Sequence, residues 1–191
     1  MIGAIISLLL LIRRASRPHV AFLGRIAGTR RFSDRERHSD NELIPGVLIF
    51  RPEASLLYFN MDHVRDTILD RMHAVGTEAE PRKRGVLDLS AAAYVDMHAA
   101  HMLAGLADEL TADGIRVQAV EARSTVRERL RSEGVDPKLG GIDRLTMIAD
   151  VVEACLRSVS LPSPRAEVLN VGSGQQWAND DVVQLIREVL H

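Results

Sequence analysis

The stretch LDLSAAAYVDMHAAHMLAGLADEL, Leu87–Leu110, decides how the chain is read. It runs from a short apolar strand, through an aspartate, into a long helical pattern with Met102, Leu103, Leu106 and Leu110 on one face. Asp96 stands at the strand-to-helix join, and "ADG" at 112–114 ends the helix. A carboxylate there accepts hydrogen bonds from the first amides of the helix and complements its dipole. A helix cap therefore accounts for Asp96 without any further role.

Working outward, "IRVQAV" alternates as a strand should, with Ile115, Val117 and Ala119 pointing one way. Ser124 is expected to cap the next helix, where Val126 and Leu130 pair before Gly134. The turn-rich "GVDPKLGG" precedes a last helix of the domain with Ile148, Val151, Val152, Cys155 and Val159 on one face. Upstream, "GVLIF" and "LLYFN" read as two strands joined by "RPEAS". Asn60 or Asp62 then caps a helix carrying Val64, Ile68, Met72 and Val75, with Gly76 as its stop. Strands alternating with helices imply an α/β fold with a mixed, mostly parallel sheet, the opening hairpin supplying the antiparallel part.

Bulk properties bound the rest. The 191 residues suit one ordinary domain with appendages, and 46% hydrophobic content supports a packed core. At 4% aromatic, that core is aliphatic. A net charge of −2 argues against a general nucleic-acid binder. One cysteine, Cys155, precludes an internal disulfide and reads as a small buried hydrophobe.

The N-terminal region divides sharply by charge. "MIGAIISLLLLI" is uncharged and apolar, but short of the roughly 20 residues a membrane-spanning helix needs. Arginines follow at 13, 14, 17, 25, 30, 31, 35 and 37. A secretory signal places its charges before the apolar run, so the order here points instead to the cytoplasmic exit of a membrane helix. An exposed leader or a misassigned start codon is the plainer alternative. The expected organisation is a partial transmembrane helix at 1–15, a basic juxtamembrane linker at 16–44, a packed domain at 45–160 and an extension at 161–191.

Three segments together, "GVLIFRPEASLLYFNMDHVRDTI", "KRGVLDLSAAAYVDMHAAHMLAGLADELTADGIRVQAVEARSTVRERLRSEG" and "IDRLTMIADVVEACL", resemble a STAS domain. They are most similar to the cytoplasmic one at the C-terminus of SulP-type sulfate and anion transporters. The apolar stub with "SRPHVAFLGRIAGTRRFSD" resembles the end of those transporters' last membrane helix and its connector. The resemblance extends over about residues 3–160 and rests on no single highly specific motif. It implies the STAS (anti-sigma-factor-antagonist-like) fold, a small mixed sheet with helices on one side, here with an N-terminal apolar helix and a C-terminal helical tail. It also implies regulation, assembly or trafficking of a transporter rather than catalysis, at the cytoplasmic face of the cell membrane.

In free-standing relatives of this family, antagonists of anti-sigma factors, the strand-to-helix join reads Asp-Ser-Ser/Thr-Gly and a serine is the phosphorylation switch. The corresponding run here is Asp96-Met97-His98-Ala99. The aspartate is kept, but a methionine replaces the acceptor, and a thioether cannot take a phosphoryl group. The expected site is thus a regulatory join without its switch chemistry. A stand-alone interaction module of the antagonist kind is the alternative reading. Some relatives bind guanine nucleotides, so nucleotide binding stays open here, but these residues do not locate a site for one and no P-loop motif is present.

Other chemistry is weakly supported. His98 and His101 share a helix face but make half a metal site, so no metal is expected. The segment "EVLNVGSGQQWANDDVVQLIREVLH" is similar to one near the C-terminus of NAD-dependent nucleotide-sugar epimerases. A glycine-rich first turn and a Tyr-x-x-x-Lys pair are both missing, since Tyr58 is followed at the fourth position by Asp62 and Tyr94 by His98. No cofactor or catalytic residue is therefore expected. One apolar run cannot build a transport pathway, so any transport role is through a membrane domain or a regulatory protein partner, with the membrane held by the stub and its arginines.

Overall fold

The computed structural model describes residues 2–74 and 84–160. The expectations for Val75, Gly76 and the 161–191 tail lie outside the described residues. The chain begins with helix α1, Ile2–Ser16, whose Ile5, Ile6 and Leu8 to Ile12 are all exposed. At 1.5 Å per residue it is about 22 Å long, against a hydrocarbon layer of about 30 Å. No helix among the described residues is long and apolar enough to cross a membrane.

Strands β1 (Val20–Arg25), β2 (Phe32–Asp34) and β3 (Val47–Pro52) follow. Then come α2 (Met61–Ala74), β4 (Arg84–Asp88), α3 (Met97–Ala112) and β5 (Arg116–Val120). Helix α4 (Ser124–Ser132), a 3-10 turn at Asp136–Leu139 and α5 (Ile148–Ser160) complete the domain. The five strands form one sheet in the order β2-β1-β3-β4-β5. Strands β3, β4 and β5 run parallel, whereas β1 is antiparallel to both β2 and β3.

The expected hairpin is displaced. "LLYFN" is not a strand: Leu56 makes a single bridge to Val95, and the chain then turns at Asn60 into α2. The Asn60 Oδ1 accepts from the Leu57 amide at 2.9 Å, so the side chain folds back onto the loop instead of capping the helix ahead of it. The antiparallel partner of β3 is β1, from the stretch expected to be linker. Val20, Ala21, Phe22 and Leu23 are all buried, Val20 and Phe22 toward one face and Ala21 and Leu23 toward the other. A strand covered on both faces does not alternate in hydropathy, and here it is hidden among arginines. Its inclusion divides the ladders evenly between parallel and antiparallel.

β2 is tied by polar contacts. The buried Asn41 amide donates to Ser33 O at 3.1 Å and Ser33 Oγ at 2.7 Å. Asp34, also buried, meets His19 Nε2 at 3.0 Å, the Glu36 amide at 2.9 Å and Arg37 Nε at 3.4 Å. Burial pushes the Asp34 carboxyl upward, but these donors outweigh it and hold its pKa below the ordinary value.

Helices α2, α3, α4 and the 3-10 turn cover one face of the sheet. The other face, Ala21, Leu23, Val47, Ile49, Val86 and Val120, is covered by Ile148, Val151, Val152 and Cys155 of α5. Helices therefore flank the sheet on both sides, contrary to the one-sided arrangement expected. Cys155 is buried there, and desolvation raises its thiol pKa, which keeps it protonated.

Candidate functional site at the strand-to-helix join

The C-terminal ends of β3, β4 and β5 point to one pole, where the loops 53–60, 89–96 and 121–123 lie. β4 ends at the buried Asp88, whose Oδ1 accepts from the Ser90 amide at 2.8 Å. Leu89 N–H continues the ladder to Val120 O. The loop then reaches Val95, where Leu56 N–H donates to Tyr94 O at 2.9 Å and Asp96 N–H to Leu56 O at 3.1 Å. These two bonds fix the Asp96 backbone against the β3–α2 loop.

Asp96 is the N-cap of α3, in extended conformation (φ −81°, ψ 171°). Its Oδ1 accepts from the Ala99 amide at 2.7 Å and its Oδ2 from the Tyr58 amide at 2.8 Å. One carboxylate thus closes the helix start and pins a loop 38 residues away in sequence. Ser124 does not cap α4 in this way: Arg123 holds the N-cap position and makes no side-chain cap bond, so Ser124 is the first helical residue.

Of the four join residues, Asp96 is half-buried, Ala99 is buried in the core, and Met97 and His98 face solvent. Met97 is 58% exposed. The loops at the same pole carry exposed Tyr58 (67%), Phe59 (40%) and Tyr94 (47%), the first two with rings 5.4 Å apart in an edge-to-face arrangement. The helix-dipole end at Asp96 is already occupied by the carboxylate, so the pole offers an apolar and aromatic surface rather than an open anion site. Beside it, Arg129 pairs with Glu133 at 3.2 Å, and that hydrogen bond, with a smaller contribution from Tyr94, raises the guanidinium's pKa against its partial desolvation. His101 is exposed, with Nε2 3.5 Å from Glu133. No group of three or more His, Cys, Asp or Glu with metal-holding geometry exists among the described residues.

Reading the sequence missed Tyr58, Phe59 and Tyr94. The available signal was scarcity: the chain has two tyrosines, and both stand here. Assigning LLYFN to a strand placed Tyr58 and Phe59 inside a sheet and concealed it.

Residues 38–154 match the family model of the STAS domain. The chain belongs to the STAS-domain family. A probable sulfate transporter of Arabidopsis thaliana is 24% identical over 169 residues, 85% of this chain and 25% of that protein. Among solved structures, the murine Solute Carrier 26 family member A9 anion transporter superposes with a TM-score of 0.68 at 18% identity, covering 81% of this chain and 25% of that one. The SulP transporter STAS domain of Vibrio cholerae superposes with a TM-score of 0.50 at 18% identity, covering 65% and 91%. The chain thus spans about a quarter of the length of the curated relatives it matches.

Proposed function

We propose that this STAS domain is a non-catalytic regulatory and interaction domain associated with a SulP-type sulfate or anion transporter, and that it works at the cytoplasmic face of the membrane. The observation that carries this is the extent of the similarity. The match to a sulfate transporter takes in 85% of the chain, more than the 38–154 segment accounts for. It therefore takes in more of the chain than the elements from β1 to α5 account for. The apolar α1, with Arg13, Arg14 and Arg17 at its end, suits the exit of a membrane helix.

The join Asp96-Met97-His98-Ala99 is the proposed regulatory position, retained as a docking geometry. The serine switch of the free-standing antagonists is not its control, because neither Met97, His98 nor Ala99 carries a hydroxyl. Deleting the coding region and measuring uptake of labelled sulfate and other oxyanions tests the reading. Reduced uptake of at least one anion, restored by the intact gene and not by one truncated after residue 44, is expected. Unchanged uptake of every anion overturns it.

A further inference from the structure

The aromatic pole and the apolar helix are neighbours. Only Arg17, Pro18 and His19 separate the end of α1 at Ser16 from the start of β1 at Val20. Four Cα steps reach at most about 14 Å. Asn60 Nδ2 donates to Ala15 O at 3.4 Å, and Glu53 N–H donates to His19 O at 2.8 Å, so the end of α1 lies against the 53–60 loop. Val20 pairs with Pro52, at the same end of the sheet from which the loops of the pole spring. The slack expected of a linker at 16–44 is taken up by two strands.

We infer that the pole bearing Tyr58, Phe59, Tyr94 and Met97 rests in the headgroup layer of the membrane that receives α1, with Arg13, Arg14 and Arg17 against anionic lipid phosphates. The inference depends on the membrane reading of α1 given above. Two features select lipid as the occupant. The surface adjoins the end of a helix whose residues from Ile5 to Ile12 are apolar except Ser7 and are exposed. It also joins an exposed aromatic cluster to an exposed arginine cluster at the helix exit, the residue pairing that membrane interfaces favour. Tyr58 and Phe59 then act as a wedge that sets the height and tilt of the domain, and Asp96 positions the wedge through the Tyr58 amide.

The test uses the full chain with vesicles of phosphatidylcholine and phosphatidylserine. In a Cys155→Ala background, Phe59→Cys or, separately, Tyr58→Cys carries an environment-sensitive fluorophore. Ala112→Cys, at the far end of α3 and about 22 Å from Met97, is the control. Sedimentation with vesicles, together with blue-shifted emission quenched by brominated lipid at 58 and 59 and not at 112, is the expected result. Failure to sediment overturns the membrane reading of α1 and the inference with it. Sedimentation with a water-exposed probe at 58 and 59 overturns the inference alone. So does a probe shielded from iodide yet untouched by brominated lipid, which would place a second copy or a protein partner over the pole.

Discussion

Val20 and Phe22 enter a core that thirty of the described residues share, drawn from one face of the sheet, from α2, α3 and α4 and from the loops between them. Ala21 and Leu23, their immediate neighbours on β1, enter one of eleven, closed by the single helix α5. The larger core is held by several elements at once, so a side chain there packs against more than one helix. The smaller core depends on one amphipathic helix crossing the sheet. The two faces of this sheet are therefore expected to carry unequal stability, the weaker being the one that α5 alone covers.

Truncation on each face tests this directly. Phe50→Ala, at a fully buried position of the larger core, is expected to cost about 3–5 kcal/mol in chemical denaturation. Val152→Ala on α5 removes less surface and is expected to cost about 2 kcal/mol. Equal losses, or a larger loss at Val152, would break the comparison.

Gly24 probes the β1 edge shared by both faces. A Cβ there would stand 2.8 Å from Asn41 Cβ and 3.0 Å from the Glu42 carbonyl oxygen. Backbone must shift to admit it, so Gly24→Ala is expected to cost about 1–3 kcal/mol and to loosen β1 and β2. Hydrogen exchange should register faster exchange of the β1–β2 amides, with those of β4–β5 unchanged.

Asp96→Ala removes the cap of α3 and the acceptor of the Tyr58 amide, for an expected loss of about 1–2 kcal/mol. Asn at this position should recover most of it, since an amide oxygen also caps. If Asn recovers nothing, the charge and not the cap is what the site needs.

The smallest effect expected is a pH dependence. The Asp34 pKa is lowered on folding, so its contribution is fully present above the ordinary value near 3.8 and is lost as pH falls through the lower folded value. The stability difference between the native chain and Asp34→Asn should therefore be constant near neutrality and shrink below that range. A difference that persists unchanged at lower pH would assign the Asp34 contacts a purely structural role.

Legibility in the sequence followed the same division. Helices α2, α3 and α5 and strands β4 and β5 could be read because their apolar residues recur at helical or strand spacing. Asp96 could be read as a cap because a polar residue stood immediately before an apolar helical run, and the Ala99 amide meets it. β1 could not, since burial on both faces removes alternation and seven surrounding arginines from Arg13 to Arg37 dominate the local composition. LLYFN looked like a strand because composition cannot report that the Asn60 side chain turns the backbone. The aromatic pole was illegible for the same reason: its three rings come from two loops that the Leu56–Val95 bridge and the Tyr58–Asp96 hydrogen bond bring together.

The closing of the second face by α5 has a consequence for synthesis. Arg30, just past β1, pairs with Asp150 of α5 across 120 residues of chain. At ribosomal rates of about 5–20 residues per second, that interval lasts roughly 6–24 s. Throughout it, Ala21 and Leu23 have no helix to cover them, and Ile49 joins them once made. Each nascent copy therefore carries an uncovered apolar strip until α5 has been made.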